Sequence, residues 1–350
     1  MENENKTFIF DKELPRVVRL VIKFLLVFLD IFYWVLLILA RIKSFPQSKK
    51  SRIYNISVCA IFKNETLSLK EWIEYHLLVG VDHFYLYNNF STDNYEQVLE
   101  PYIKDGIIDL IEWQVVPPSQ LQAYEHCFTN FRDETQWIAF IDLDEFICPI
   151  NKTSLSEWLK DFEGFHALII YWKIFGTNGL IEHDPKRLII EQYTASWEKY
   201  YDLGKTIFNT NFYIYRFQNK DLHTFSAKIT FWGINIPIPP VNEFKKFIRY
   251  HSNRIGYHRN SNNFTIQLNH YWSKSYIEFA RKIERGRADT TADKHKDIRS
   301  LKAFLWFENK TKTTDNKIQR FLIQLKVRMG QVDKYDSIID FSKPIKTNKG

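Results

Sequence analysis

The chain has 350 residues, 45% hydrophobic and 25% charged, enough apolar material for a sizeable core and too much for a disordered chain. Its net charge of +7 suits a phosphorylated ligand or an anionic membrane, but lysine and arginine are spread along the sequence without a nucleic-acid module, so no nucleic-acid partner is expected. The three cysteines, Cys59, Cys127 and Cys148, are odd in number and lack CxxC spacing, which argues against a disulfide framework and a zinc site and predicts reduced, buried thiols facing the cytosol.

Val17 to Ala40 is strongly apolar. Its uninterrupted part begins after Lys23 and runs for roughly seventeen residues, near the lower limit for a spanning helix, with Asp30 in the middle. No small-residue cleavage site follows, so a removable signal is not expected. Two readings stay open: a single spanning anchor, or a helix lying in the interface. Basic residues flank both ends, and the heavier cluster (Arg41, Lys43, Lys49, Lys50, Arg52) follows the segment, which places the main domain on the cytoplasmic face.

From Ile53 the pattern alternates between strand and helix. Ile53–Phe62, His83–Tyr87, Ile107–Trp113, Trp137–Phe146 and Ala167–Phe175 read as strands. Capping boxes at Ser68-x-x-Glu71, Asp93-x-x-Glu96 and Ser154-x-x-Glu157 open helices between them, and Ser119–Arg132 reads as a further helix. Such alternation predicts βαβ units and a mostly parallel sheet flanked by helices, with ligands at the carboxyl ends of the strands. Those ends carry Lys63-Asn64-Glu65, Asn88-Asn89 with Asp93, and Asp142-Leu143-Asp144. Strand periodicity places Asp142 and Asp144 on one face. Two adjacent carboxylates repel unless a cation or proton lies between them, and a hard divalent ion can hold substrate phosphates as well. With no GxGxxG and no Walker A motif, phosphates must be held by a metal and by basic side chains.

After Phe175 a glycine turn, Gly176 to Gly179, suits close approach to a ligand and leads to Glu182, His183 and Asp184. Phe212–Phe217 and Lys228–Trp232 predict a small antiparallel extension. His270 follows the strand-like run Phe264–Leu268, and a helix over Ser275–Arg285 has Lys274, Lys282, Arg285 and Arg287 around it. His270 is either structural or the completion of an Asp/Asp site suited to Mn²⁺ or Mg²⁺. The basic cluster is either a pyrophosphate clamp or a solvated helix face. The division expected is 1–50, a tail with the membrane helix; 51–290, the catalytic domain; and 291–350, a helical tail.

Five motifs in this order resemble glycosyltransferase family 92, related to family 2. They are Trp72–His76; Phe84–Asn89 with Ser91–Asn94; Trp137–Phe146; Trp172 with Phe175-Gly176; and Asn269–Tyr271 with Lys274-Ser275. The resemblance covers about Ser57 to Asp289. It implies a GT-A fold, a nucleotide-sugar donor (a UDP-sugar), a glycan or lipid-linked acceptor, and a DxD-bound metal. Asp142, Asp144 and His270 match the metal positions. On this reading Asn64, Glu65 and Asp93 contact base and ribose, Asp142 also meets the donor, and Lys274 or Arg287 stabilises the leaving group. Glu182 and Asp184 are the candidate bases. Two rival classes are a membrane-anchored sugar-binding protein without turnover and a DxD phosphatase. The second fits poorly, because three βα units precede the motif.

Overall fold

The computed structural model describes residues 9–10, 15–44, 51–201, 203–212, 227–231, 234–248, 255–256, 263–290 and 300–331. Its N-terminal half is built as the alternation predicts. Strands β1 (Tyr54–Phe62), β2 (His83–Asn88), β3 (Ile108–Glu112) and β4 (Thr135–Phe140) alternate with helices α2 (Thr66–Leu78), α3 (Tyr95–Lys104) and α4 (Gln120–Phe131). Helix α1 (Arg16–Lys43) precedes them. β1 pairs in parallel with both β2 and β4, and β2 with β3. β1 and β2 are buried almost throughout, as expected of parallel strands covered by helices on both faces.

The C-terminal half departs from that pattern. It comprises β5 (Glu145–Pro149), β6 (Ala167–Phe175), β7 (Ala195–Trp197), β8 (Gly204–Asn209), the hairpin β9 (Ala227–Phe231) and β10 (Ile234–Ile238), β11 (Ile266–Tyr271) and β12 (Thr311–Thr314). The main sheet runs β12-β7-β6-β8-β4-β1-β2-β3, with β11 beside β6 and β5 beside β11. β8 is antiparallel to both neighbours, β4 and β6, so antiparallel strands extend the parallel block into one mixed sheet. Gly204 permits this approach: a Cβ there would lie 1.9 Å from the carbonyl oxygen of Ile170.

The strand expected over Trp137–Phe146 is two strands, β4 and β5, joined by a turn at residues 141–144. β5 leaves β4 and pairs with β11 in a different part of the sheet. Of the three capping boxes only Ser154 caps, accepting from the Glu157 amide at the start of α5 (Leu155–Leu159). Ser68 and Glu71 instead lie inside α2, where the Glu71 carboxylate accepts the amides of Ile189 and Ile190 at the start of α6 (Ile189–Gln192). Asp93 accepts the Thr66 amide and so ties β2's loop to α2. Most of the run Phe212–Phe217 lies outside the described residues.

The core is continuous across both halves and includes Trp72, Tyr75, Phe84, Trp137, Phe140, Phe146 and Trp158. Each such side chain contributes about 1.5–3 kcal/mol on burial. All three cysteines are buried and free. Helix α1 is long and apolar enough to cross a membrane, and its last turns pack Leu36, Leu37 and Ala40 onto the core.

Candidate active site

A cleft of about 810 Å³ opens at the carboxyl ends of β1, β2 and β4. Its walls include Lys63 and Glu65 after β1, Asn89 and Phe90 after β2, and Asp142 to Asp144 after β4. The far wall comes from the C-terminal half: Trp172, Tyr201, His270, Trp272 and the run Arg285 to Thr290. The three strand tips therefore meet on one rim, as the βαβ pattern requires.

Asp142 and Asp144 sit in the turn between β4 and β5, and that turn faces them differently. The Asp142 carboxylate is held by Gln120 Nε2 (2.7 Å) and Tyr124 OH (3.1 Å) on α4, and by Lys205 Nζ (2.9 Å) on β8. Asp144 is nearly buried, with Lys282 Nζ at 2.6 Å and His270 Nε2 at 3.7 Å. Burial would raise the Asp144 carboxyl, but Lys282 and then His270 outweigh it and hold the group well below the usual carboxylate range. Asp142 is also lowered: burial acts against it, and Lys205 wins. Behind the turn, Glu145 is fully buried. It accepts from Trp172 Nε1 (2.7 Å) and from the Asp142 amide (2.9 Å), and burial pushes its carboxyl well up despite Lys205 at 3.9 Å. Glu145 thus fixes the turn's shape from beneath.

Lys282 lies on α7 (Tyr276–Arg285), whose Ser275 accepts the Glu278 amide as N-cap. The same lysine donates to the carbonyls of Tyr271 (3.3 Å) and Trp272 (2.8 Å), so three acceptors satisfy its three protons. Glu65 is gripped by Arg285 (2.5 Å) and Lys274 (3.6 Å), which overcome its burial and lower its pKa. Asn64 and Lys274, on either side of that contact, both have left-handed backbones (φ 51° and 52°). Side chains other than glycine adopt that region only where their surroundings enforce it.

The cleft gathers Glu65, Asp142, Asp144, His270 and Arg287 from the expected set. Lys274 stands behind it, its Nζ 2.5 Å from Ser68 Oγ. Asn64 is not on the wall: it braces the loop after β2, accepting the Thr92 amide at 2.7 Å and donating its own to Ser91. Asp93, likewise off the wall, is spent on Thr66. Glu182 and Asp184 are exposed and outside the cleft, so the glycine turn does not deliver a base. Gly176 instead makes room for the C-terminal segment, since a Cβ there would meet Thr311 at 2.6 Å. Among the described residues no group of three or more His, Cys, Asp or Glu is placed to hold a metal, so Asp142, Asp144 and His270 do not assemble as a three-ligand set.

Lys205 and Gln120 were not legible as site residues; Lys282 and Arg285 were legible only as a basic cluster that could equally be a solvated face, and Trp172 only as part of a motif. Lys205 carried a signal: it is a lone charge in a strand that is otherwise apolar or small. Lys282 belongs to the amphipathic α7, where a basic residue reads equally well as a solvated face.

The sequence model of glycosyltransferase family 92 matches residues 54–299, most of the chain. A family 92 protein of Ricinus communis is 27% identical over 155 residues, 43% of this chain and 28% of that protein. Another, of Oryza sativa subsp. japonica, is 29% identical over 114 residues, 32% of this chain and 19% of its own length. A galactan beta-1,4-galactosyltransferase of Arabidopsis thaliana is 27% identical over 138 residues, 35% of this chain and 27% of that protein. The chain thus spans well under a third of the length of these relatives. Among solved structures, S. aureus TarS 1-349 in complex with UDP aligns with a TM-score of 0.30 and 15% identity, over 45% of this chain and 47% of that one. The chain belongs to glycosyltransferase family 92.

Proposed function

We propose that this chain transfers a hexose from a nucleotide-sugar donor, a UDP-sugar first, to a glycan or lipid-linked acceptor in cell-surface polysaccharide or lipopolysaccharide synthesis. One observation carries the reading: the Asp142-Leu143-Asp144 turn lies on a cleft at the strand tips, ringed by Lys63, Arg285 and Arg287. Basic side chains there suit a diphosphate, which no glycine loop in this sequence could cradle. Family membership and one relative's name as a galactosyltransferase support the hexose.

In this mechanism Asp142, locked by Gln120, Tyr124 and Lys205, positions the donor's ribose, and Glu65 orients Arg285 toward the phosphates. Arg287, held by Asp289, adds positive charge where the leaving group develops negative charge. Asp144 and His270 fit Mn²⁺ or Mg²⁺ as a two-residue seat. Their facing atoms are 3.7 Å apart, and His270 Nδ1 is buried with no hydrogen-bond partner among the described residues. An oxygen and a nitrogen ligand suit such ions, which commonly take one or two protein ligands and fill the rest with phosphate and water. When bound, the cation supplies a Lewis acid for the diphosphate. The apolar α1 holds the enzyme at a membrane, with the cleft on the cytoplasmic side where the donor is made.

A panel of nucleotide sugars, assayed for release of free nucleotide with Mn²⁺, with Mg²⁺ and with a chelator, tests this. The expected result is metal-dependent release from one donor. Binding by calorimetry without release would favour a sugar-binding protein, and neither binding nor release would overturn the assignment.

A further inference from the structure

Helix α1 is not uniformly exposed. Ile22, Leu26, Leu29, Asp30 and Tyr33 are half-buried, and Leu36, Leu37, Ala40 and Ser44 are buried. They recur every three or four positions and so lie on one side of the helix. Asp30, the only charge between Phe24 and Ala40, is on that side. The opposite side presents Phe24, Phe28, Ile31, Val35 and Ile38, all exposed.

The end of the helix is docked, not tethered. Tyr33 and Trp34 rings lie 5.4 and 5.5 Å from Phe247, and Trp34 is 5.5 Å from Phe165. From Tyr33 onward the helix belongs to the domain. The stretch before it, Phe24 to Phe32, is only about 14 Å long at 1.5 Å per residue, against a hydrocarbon core of about 30 Å, and one side of it, Leu26, Leu29 and Asp30, is half-buried. Arg16, Arg19 and Lys23 close the other end. Beside the docked end, the turn before Phe247 exposes Phe244, Lys245 and Lys246. It is pinned by Asn242, whose side chain accepts the Phe244 and Lys246 amides.

We propose that α1 does not cross the bilayer but lies along its surface, with its apolar face in the lipid, its Asp30 face against the domain, and the Phe244–Lys246 turn as a second contact with anionic headgroups. This rests on the membrane association proposed above and deepens it. Exposed apolar side chains bordered by lysine and arginine are the chemistry of an interfacial anchor. It also fixes the domain, and therefore the cleft, relative to the lipid plane.

The test uses the full chain in sealed vesicles containing phosphatidylglycerol, with single cysteines added by Asn5→Cys or Lys104→Cys and an impermeant maleimide. The native cysteines are buried. Both positions should be labelled to completion without detergent when the chain is added from outside, and Lys245→Glu/Lys246→Glu should lower vesicle binding about tenfold. Protection of position 5 wherever position 104 is labelled would overturn the proposal, and unchanged binding of the double variant would overturn the role of the turn. A chain that stays in the aqueous fraction, as monomer or as dimer of α1 faces, would overturn membrane association itself. Donor turnover in detergent is measured separately and depends on neither outcome.

Discussion

The two halves of the sheet contribute opposite charges to one cleft. The parallel half, β1 to β4 and the turn after it, supplies Glu65, Asp142 and Asp144. The antiparallel half and the helix after it supply Lys205, His270, Lys282 and Arg285 against them. Neither set could be buried alone, because an uncompensated charge in a low dielectric costs several kcal/mol. The site is thus also the electrostatic bond between the halves. Glu243 gives the contrast: among the described residues its carboxylate meets the Thr265 amide and hydroxyl and no cation, and burial raises its pKa to about 7. Asp144, with Lys282 against it, moves the other way.

Cutting one link between the halves should have the largest effect. Lys282→Met strands the Asp144 carboxylate and should cost about 3–5 kcal/mol by urea denaturation. Adding Asp144→Leu should recover much of that loss. If the double variant is no better than the single one, the pair is not what couples the halves.

Removing the charge from the parallel side alone should separate chemistry from folding. Asp144→Asn should lower donor turnover about a hundredfold or more, the scale on which a single electrostatic group acts in a transition state. A steady-state assay on the active donor reads this directly.

The isolated carboxylate sharpens the contrast through pH. A group whose folded pKa is raised stabilises the fold below its unfolded value, and that contribution is lost as pH rises through the folded value. For Glu243 the window runs from about 4.5 to about 7. Glu243→Gln keeps the acceptor oxygen for Thr265, so at pH 8 it should be more stable than the parent by about 1–3 kcal/mol, with no difference at pH 4. Denaturation curves at the two pH values check this. At the small end, Glu182→Gln and Asp184→Asn should leave turnover within about twofold, because neither side chain reaches the cleft.

The parallel half was the legible one. Its strands and helices follow from alternation and apolar spacing, and its acidic tip from the abrupt break after Ile141. What was missed is non-local. That β5 would leave β4 and join β11 is set by pairing across more than a hundred residues, which no local pattern encodes. The same holds for Lys205: no strand is read in the sequence over residues 204–209, and it is Gly204 that lets that strand slip between β4 and β6. Ser68 and Glu71 have the spacing of a capping box, yet tertiary contacts with Lys274 and the 189–190 amides claimed both side chains. The glycine turn misled because its tight neighbour is Thr311, not a ligand.

The central claim is that the turn carrying Asp142 and Asp144 grips a nucleotide diphosphate in company with basic residues from the other half. Calorimetry of UDP with Mn²⁺, on the parent chain and on Asp144→Asn, tests it most directly. The account predicts binding to the parent and at least tenfold weaker binding to the variant. Equal affinity for both would contradict it.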